Sequence, residues 1–462
     1  MTTEIAVMNR LGVAIAADSA VTITFGSRSS KSKIFSTNKL FMLSKHYPVG
    51  IMIFGNASLM GIPWEILIKE YRKRELCEDY FERLEEYGAS FIKYLNGNTF
   101  YFTEKIQIEN LVRLLYREHE IINEGWQENI YNAVRTTKNP TSADAAKIIQ
   151  GVFDDAITKR YDELNALEPI DSFKITERRF EQKYGVVVEF AIDQFLKNDI
   201  PTGVTLSNTS RDLLRKIAYL AVVKSNFENN SSISGIVIAG YGEKEIYPSL
   251  ISYDIEMVID NKLKFLPKQN ISVDHQNDSF VEPFAQEDMV KTFLRGVSPD
   301  YEEIINEFID DVINDYPNKV ADKLSGLITD AQKKDIAEQL TEVGQDYLKT
   351  FRQRIDRWVN HKYYNRIKMA VAILPVEELA SMAAALVNLT SQKRRYTPDE
   401  ETVGGAVDVA VITKADGFVW IDRKFYFEKE KNPHFFTNYY RGANYEKQQT
   451  AKGKNKQRNK TK

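Results

Sequence analysis

Residues 2–22 read T-T-E-I-A-V-M-N-R-L-G-V-A-I-A-A-D-S-A-V-T, and this stretch decides the fold. Glu4–Ala17 holds two apolar runs around Asn9–Gly12, which predicts two strands joined by a turn. Thr2 follows the initiator methionine, and a small residue there favours removal of Met1. A terminal threonine carries a hydroxyl and a free α-amine with a pKa near ~7.7–8.0. That amine can take the hydroxyl proton directly or through one water, which makes the pair an activated nucleophile. A nearby lysine would lower both pKa values, and a buried carboxylate would hold the lysine.

Outward from this stretch the texture alternates. Leu40–Leu43 and the run G-I-M-I-F-G at 50–55 flank His46-Tyr47-Pro48 and predict a second hairpin. From Asn56 the texture changes to helix, and W-E-I-L-I-K-E-Y-R-K-R carries apolar residues at helical spacing. Residues 73–205 are charge-rich and helical in pattern, and Arg211–Asn226 is a further helix. Strand signals return in S-I-S-G-I-V-I-A-G-Y-G and I-Y-P-S-L-I-S-Y-D-I. Glu287–Leu294 predicts a short helix capped by Gly296. Residues 297–365 are again helical, and Pro375 opens a helix to about Gln392. G-G-A-V-D-V-A-V-I-T, then Asp416-Gly417, then F-V-W-I, predicts a last hairpin. Groups of strands separated by groups of helices predict an α+β fold of antiparallel sheets covered by helices.

Composition narrows the function. The chain has 462 residues, 43% apolar and 27% charged, with a formal net charge of −3. That balance fits a globular protein and excludes a polyanion binder overall. One cysteine, Cys77, and five scattered histidines give no disulfide framework and no metal-ligand spacing. No metal and no cofactor is expected. No apolar run reaches the ~20 residues of a membrane helix, and M-T-T-E opens no signal peptide, so a cytoplasmic location is expected. The basic stretch 441–462 reads as a disordered solvated tail rather than a nucleic-acid arm.

The opening stretch resembles that of proteasome β-subunits and the related bacterial peptidase subunits, which begin T-T, strand, turn, strand, A-D-S or G-D-G. Three downstream stretches resemble the same family in order: G-I-V-I-A-G-Y-G with Y-P-S-L-I-S-Y-D, V-E-E-L-A-S-M-A-A-A-L-V-N, and V-G-G-A-V-D-V-A-V-I-T-K-A-D-G. The resemblance implies a four-layer αββα sandwich, with two antiparallel sheets face to face and helices on both outer faces. It implies one domain over 1–440 with its core in 1–72, 206–296 and 366–440, and helical insertions at 73–205 and 297–365. It implies a threonine peptidase of the N-terminal-nucleophile class, cleaving amide bonds through an acyl-enzyme. By residue, it implies Thr2 as nucleophile, Asp18 at the family's aspartate spacing, Lys33 in S-K-S-K-I-F as the lysine (Lys31 its competitor), and Gly55 as oxyanion donor. Val21, Lys31, Phe35, Ile53 and Ala57 would line the substrate pocket. The expected partner is a peptide or protein substrate, with self-association and a partner ATPase left open.

The sequence also departs from the family. Glu400 stands at an aspartate position, Val403 at a serine position, and V-E-P-F-A-Q lacks the family's other serine. Two other readings therefore stand beside the peptidase. One is an amidohydrolase or transpeptidase acting on a single partner. The other is a scaffold that keeps the fold without turnover.

Overall fold

Every residue of the first two strands is buried, so a layer must cover each face. The computed structural model describes residues 3–25, 31–76, 80–136, 142–198, 207–227, 230–324, 327–397, 404–425, 427–434 and 436–437. Thr2, Glu400, Val403 and the tail 441–462 lie outside them. The chain divides into two units, Met1–Phe54 with Ala239–Ser249 and Ser272–Lys462, and Gly55–Ile238 with Leu250–Ile271.

The first unit begins with β1 (Thr3–Asn9) and β2 (Gly12–Asp18), antiparallel from Glu4 opposite Ala17 to Asn9 opposite Gly12. A separate ribbon follows, β3 (Ala20–Phe25) with β4 (Lys31–Ser36), and then the hairpin β5 (Leu40–Met42) and β6 (Val49–Gly55). The second unit carries the short β7 (Ser58–Leu59) and β8 (Ile62–Pro63). Its helices are α1 (Trp64–Arg74), α2 (Leu84–Leu95), α3 (Glu104–Thr136), α4 (Ser142–Ala166), α5 (Glu177–Asn198) and α6 (Asn208–Val223). Strands β9 (Ser234–Gly240), β10 (Ser249–Ile259) and β11 (Lys262–Ser272) stand in the order β11-β10-β9. The first unit resumes with β12 (Ser279–Ala285), α7 (Asp288–Arg295), α8 (Pro299–Lys323) and α9 (Asp330–Val359). A π-turn, Asn360–Tyr364, leads into α10 (Asn365–Ile373), followed by α11 (Val376–Tyr396), β13 (Val407–Thr413) and β14 (Gly417–Asp422).

In the first unit the sheet order is β12-β1-β2-β13-β14. Ile5, Val7, Ala14, Ala16, Val409 and Val411 share one face, where Leu379, Ala383, Leu386 and Val387 of α11 cover them. The other face meets the β5–β6 hairpin: an added Cβ at Gly50 would lie 2.8 Å from both Ile412 and Phe418. Strand alternation delivers both contacts from the same chain segments. β12 carries Pro283 opposite Ile5, and an edge strand is where a proline without an N–H is tolerated.

The second unit packs its helices on β10 and β11. Gly88 of α2 closes on Ile251 and Tyr253, and the buried Lys264 of β11 donates to Ala221 O of α6. The helical layer has an aromatic interior in which His119 stacks on Phe195 at 4.4 Å. The fold is thus α+β with antiparallel sheets, and no helix among the described residues is long and apolar enough to cross a membrane.

Burial pushes His119 down to a pKa of about 4. The unfolded chain, with an ordinary histidine near ~6.5, then binds more protons between pH 6.5 and 4, so stability falls as pH drops through that window. The shift amounts to about 2 kcal/mol lost between pH 7.5 and pH 5. Urea unfolding at both pH values should show that loss in the natural protein and a smaller one in His119→Phe. Equal losses would remove His119 as the cause.

Candidate functional site

The end of β2 gathers the buried charges of the first unit. Asp18 closes the strand, and its side chain is fully buried. Its Oδ1 accepts from the Thr3 amide at 3.0 Å and from Lys39 Nζ at 2.5 Å. Its Oδ2 accepts from the amides of Ala20 at 3.2 Å and Gly404 at 3.1 Å. One carboxylate thereby fixes the start of β1, the β2–β3 junction and the glycine loop before β13.

Lys39 enters this site from the segment just before β5. Its carbonyl accepts from the Ile53 amide at 2.9 Å, which anchors the lysine backbone to β6. Its ammonium also lies 3.5 Å from Glu4 Oε1, and all three side chains are at most 4% exposed. Taking an ammonium and two carboxylates out of water costs several kcal/mol per ion. Only direct pairing and backbone donors offset that cost, and Asp18 has both.

The sequence expectation gave the Asp18 partnership to Lys33, and here the structure corrects it. Lys33 stands in β4 opposite Ile23, within the two-stranded ribbon, and Lys31 stands opposite Phe25. The ribbon pairs as far as Ser36, opposite Ala20, and Lys39 follows just before β5. Lys39 also precedes an apolar strand, in K-L-F-M-L at 39–43. Glu4 carried no signal, because a polar residue in an apolar strand reads as the solvent side.

Two glycines and one alanine shape the surroundings. Gly405 has φ +80°, and a Cβ there would sit 2.5 Å from Ser19 Oγ, so Gly405 is required by close approach as well as by conformation, while a Cβ at Gly404 would meet nothing within 4 Å. Ala285, opposite Thr3 at the edge of the sheet, holds φ +65°. A left-handed alanine costs of order 1–3 kcal/mol, and such strain concentrates at functional sites.

The expected pocket residues fall into three groups. Val21 and Phe35 face each other across the β3–β4 ribbon, Val21 half-buried and Phe35 47% exposed, with Lys31 further along β4. Ile53 is buried in β6. Gly55 and Ala57 belong to the second unit. There Gly55 has φ +74°, and a Cβ would lie 2.5 Å from Ile233 O, so only glycine fits the turn that leaves β6. Ala57 is exposed in the following turn. No group of three or more metal-binding side chains occurs among the described residues.

No protein-family model matches the sequence, and no curated protein does. Among solved structures, the chain is similar to Anbu (ancestral beta-subunit) from Yersinia bercovieri. The two are 8% identical, the match covers 91% of this chain and 88% of that one, and the TM-score is 0.24. A likeness at that score carries no argument about the site.

The geometry makes a stability prediction that separates the two lysines. Lys39→Ala leaves Asp18 and Glu4 buried without their ammonium and should cost roughly 3–5 kcal/mol in urea unfolding. Lys33→Ala should cost less than about 1 kcal/mol. The reverse order would return the pairing to Lys33.

Proposed function

We propose that this chain is an N-terminal threonine hydrolase of the proteasome-like type, acting on peptide bonds once Met1 is removed. The observation that carries the proposal is the buried Lys39–Asp18 pair bonded to the Thr3 amide, one residue from Thr2. Glu4, two residues from Thr2 in the sequence, also faces the Lys39 ammonium at 3.5 Å.

In this reading the Thr2 hydroxyl oxygen attacks the substrate carbonyl while its own α-amine takes the hydroxyl proton. Lys39, in place of Lys33, lowers the pKa values of both groups by its charge, and Asp18 holds Lys39 in place. The C–N bond breaks as the proton passes to the leaving nitrogen, giving an ester on Thr2. Water then hydrolyses the ester and regenerates the hydroxyl. The β3–β4 ribbon, with Val21, Lys31 and Phe35, would receive the side chain before the cleaved bond. The four-layer αββα arrangement belongs to the same proposal. It is supported by a helix layer, a sheet and a hairpin stacked in the first unit, and by helices on a sheet in the second.

Intact mass should show loss of Met1, and a fluorogenic peptide library should be cleaved. Thr2→Ala should abolish cleavage, and Thr2→Ser should retain part of it. Lys39→Ala should reduce kcat by at least ~100-fold and Lys33→Ala by less than ~5-fold, since only a charge beside the nucleophile shifts its pKa. Full activity in Thr2→Ala, or a retained Met1 in active protein, would end the proposal.

A further inference from the structure

Helices α8 and α9 leave a large apolar surface uncovered. They pack antiparallel, with Arg352 bonded to Asp310 at 2.7 Å and Gly344 set against Ile313. Only Ala337, Leu348 and Val359 of α9 are buried. Leu340, Val343, Tyr347, Phe351, Ile355 and Trp358 instead lie exposed, from 38% at Leu340 to 74% at Tyr347. Their spacing of three and four residues puts them on one face along the helix. On α8, Tyr301, Ile304, Phe308, Val312 and Tyr316 repeat the same spacing, also exposed.

We infer that the α9 stripe is the contact between two copies of this chain, paired antiparallel about a two-fold axis near Tyr347. Scaled by their exposed fractions, side chains of these sizes present about 700 Å² on α9 and about as much on α8. A monomer rarely leaves a patch of that size open, and a stable interface takes about 800 Å² per partner. α9 with the nearest α8 side chains reaches that area.

The charges of α9 itself set the direction of a pair made through α9. Asp330, Lys333, Lys334, Asp335, Glu338 and Glu342 leave the first half of α9 at net −2. Asp346, Lys349, Arg352, Arg354, Asp356 and Arg357 leave the second half at +2. An antiparallel pair sets each acidic half against a basic half, whereas a parallel pair sets like against like. The two-fold also makes one patch serve both copies.

Sedimentation of the full chain at ~10 μM should give a dimer. Tyr347→Glu with Phe351→Glu should give a monomer of unchanged circular dichroism, because both side chains are exposed. In a Cys77→Ser background, Tyr347→Cys should form an intermolecular disulfide on mild oxidation. Leu340→Cys should not, since in the antiparallel pair its two copies stand about 20 Å apart and a disulfide needs Cα atoms within ~7 Å. A monomeric natural chain, a dimer that survives the double substitution, or equal crosslinking through Leu340→Cys would overturn the inference.

Discussion

The site depends on one buried ammonium. Lys39 has almost no access to water and is held by Asp18 and Glu4. A buried ion pair is no efficient way to stabilise a fold, because apolar side chains of similar volume do as well or better. The proposed chemistry gives that charge a use. What the pair does for the fold is positional. Asp18 ties together three backbone segments, so the ends of β1 and β2 and the loop at Gly404 cannot move independently.

The rest of the first unit follows from keeping that charge dry. The sheet needs α11 on one face and the β5–β6 hairpin on the other, and the same hairpin brings Lys39 in. Gly405 must be glycine for its loop to approach Ser19, and Ala285 is forced left-handed where β12 ends beside Thr3. Ala285 is the one left-handed non-glycine residue among the described residues of the first unit, and it stands opposite Thr3 at the start of β1.

Much of the fold was legible because its signals are local. The Asn9–Gly12 turn, the Asp416-Gly417 hairpin and the α7 helix before Gly296 all stand where turn chemistry and periodicity set them. β11 and β12 were harder, because each contains a proline, Pro267 and Pro283, and a half-exposed strand gives a weak pattern. For the lysine, the sequence points to Lys33, whereas the structure sets Lys39 against Asp18: the β3–β4 ribbon lengthens the path from Asp18, and ribbon length is set by pairing that residue spacing does not reveal. The Glu4 contact was invisible for a related reason: it is made across layers, by residues 35 positions apart.

The central claim is that Thr2 is a nucleophile tuned by Lys39, and the most direct measurement is covalent capture. The natural protein would be treated with a threonine-directed electrophile such as a peptide epoxyketone, and the adduct mapped by mass spectrometry. The expected result is one stoichiometric adduct on Thr2, retained in Lys33→Ala and lost in folded Lys39→Ala. An unmodified Thr2 in protein that has lost Met1, or labelling indifferent to Lys39, would contradict it.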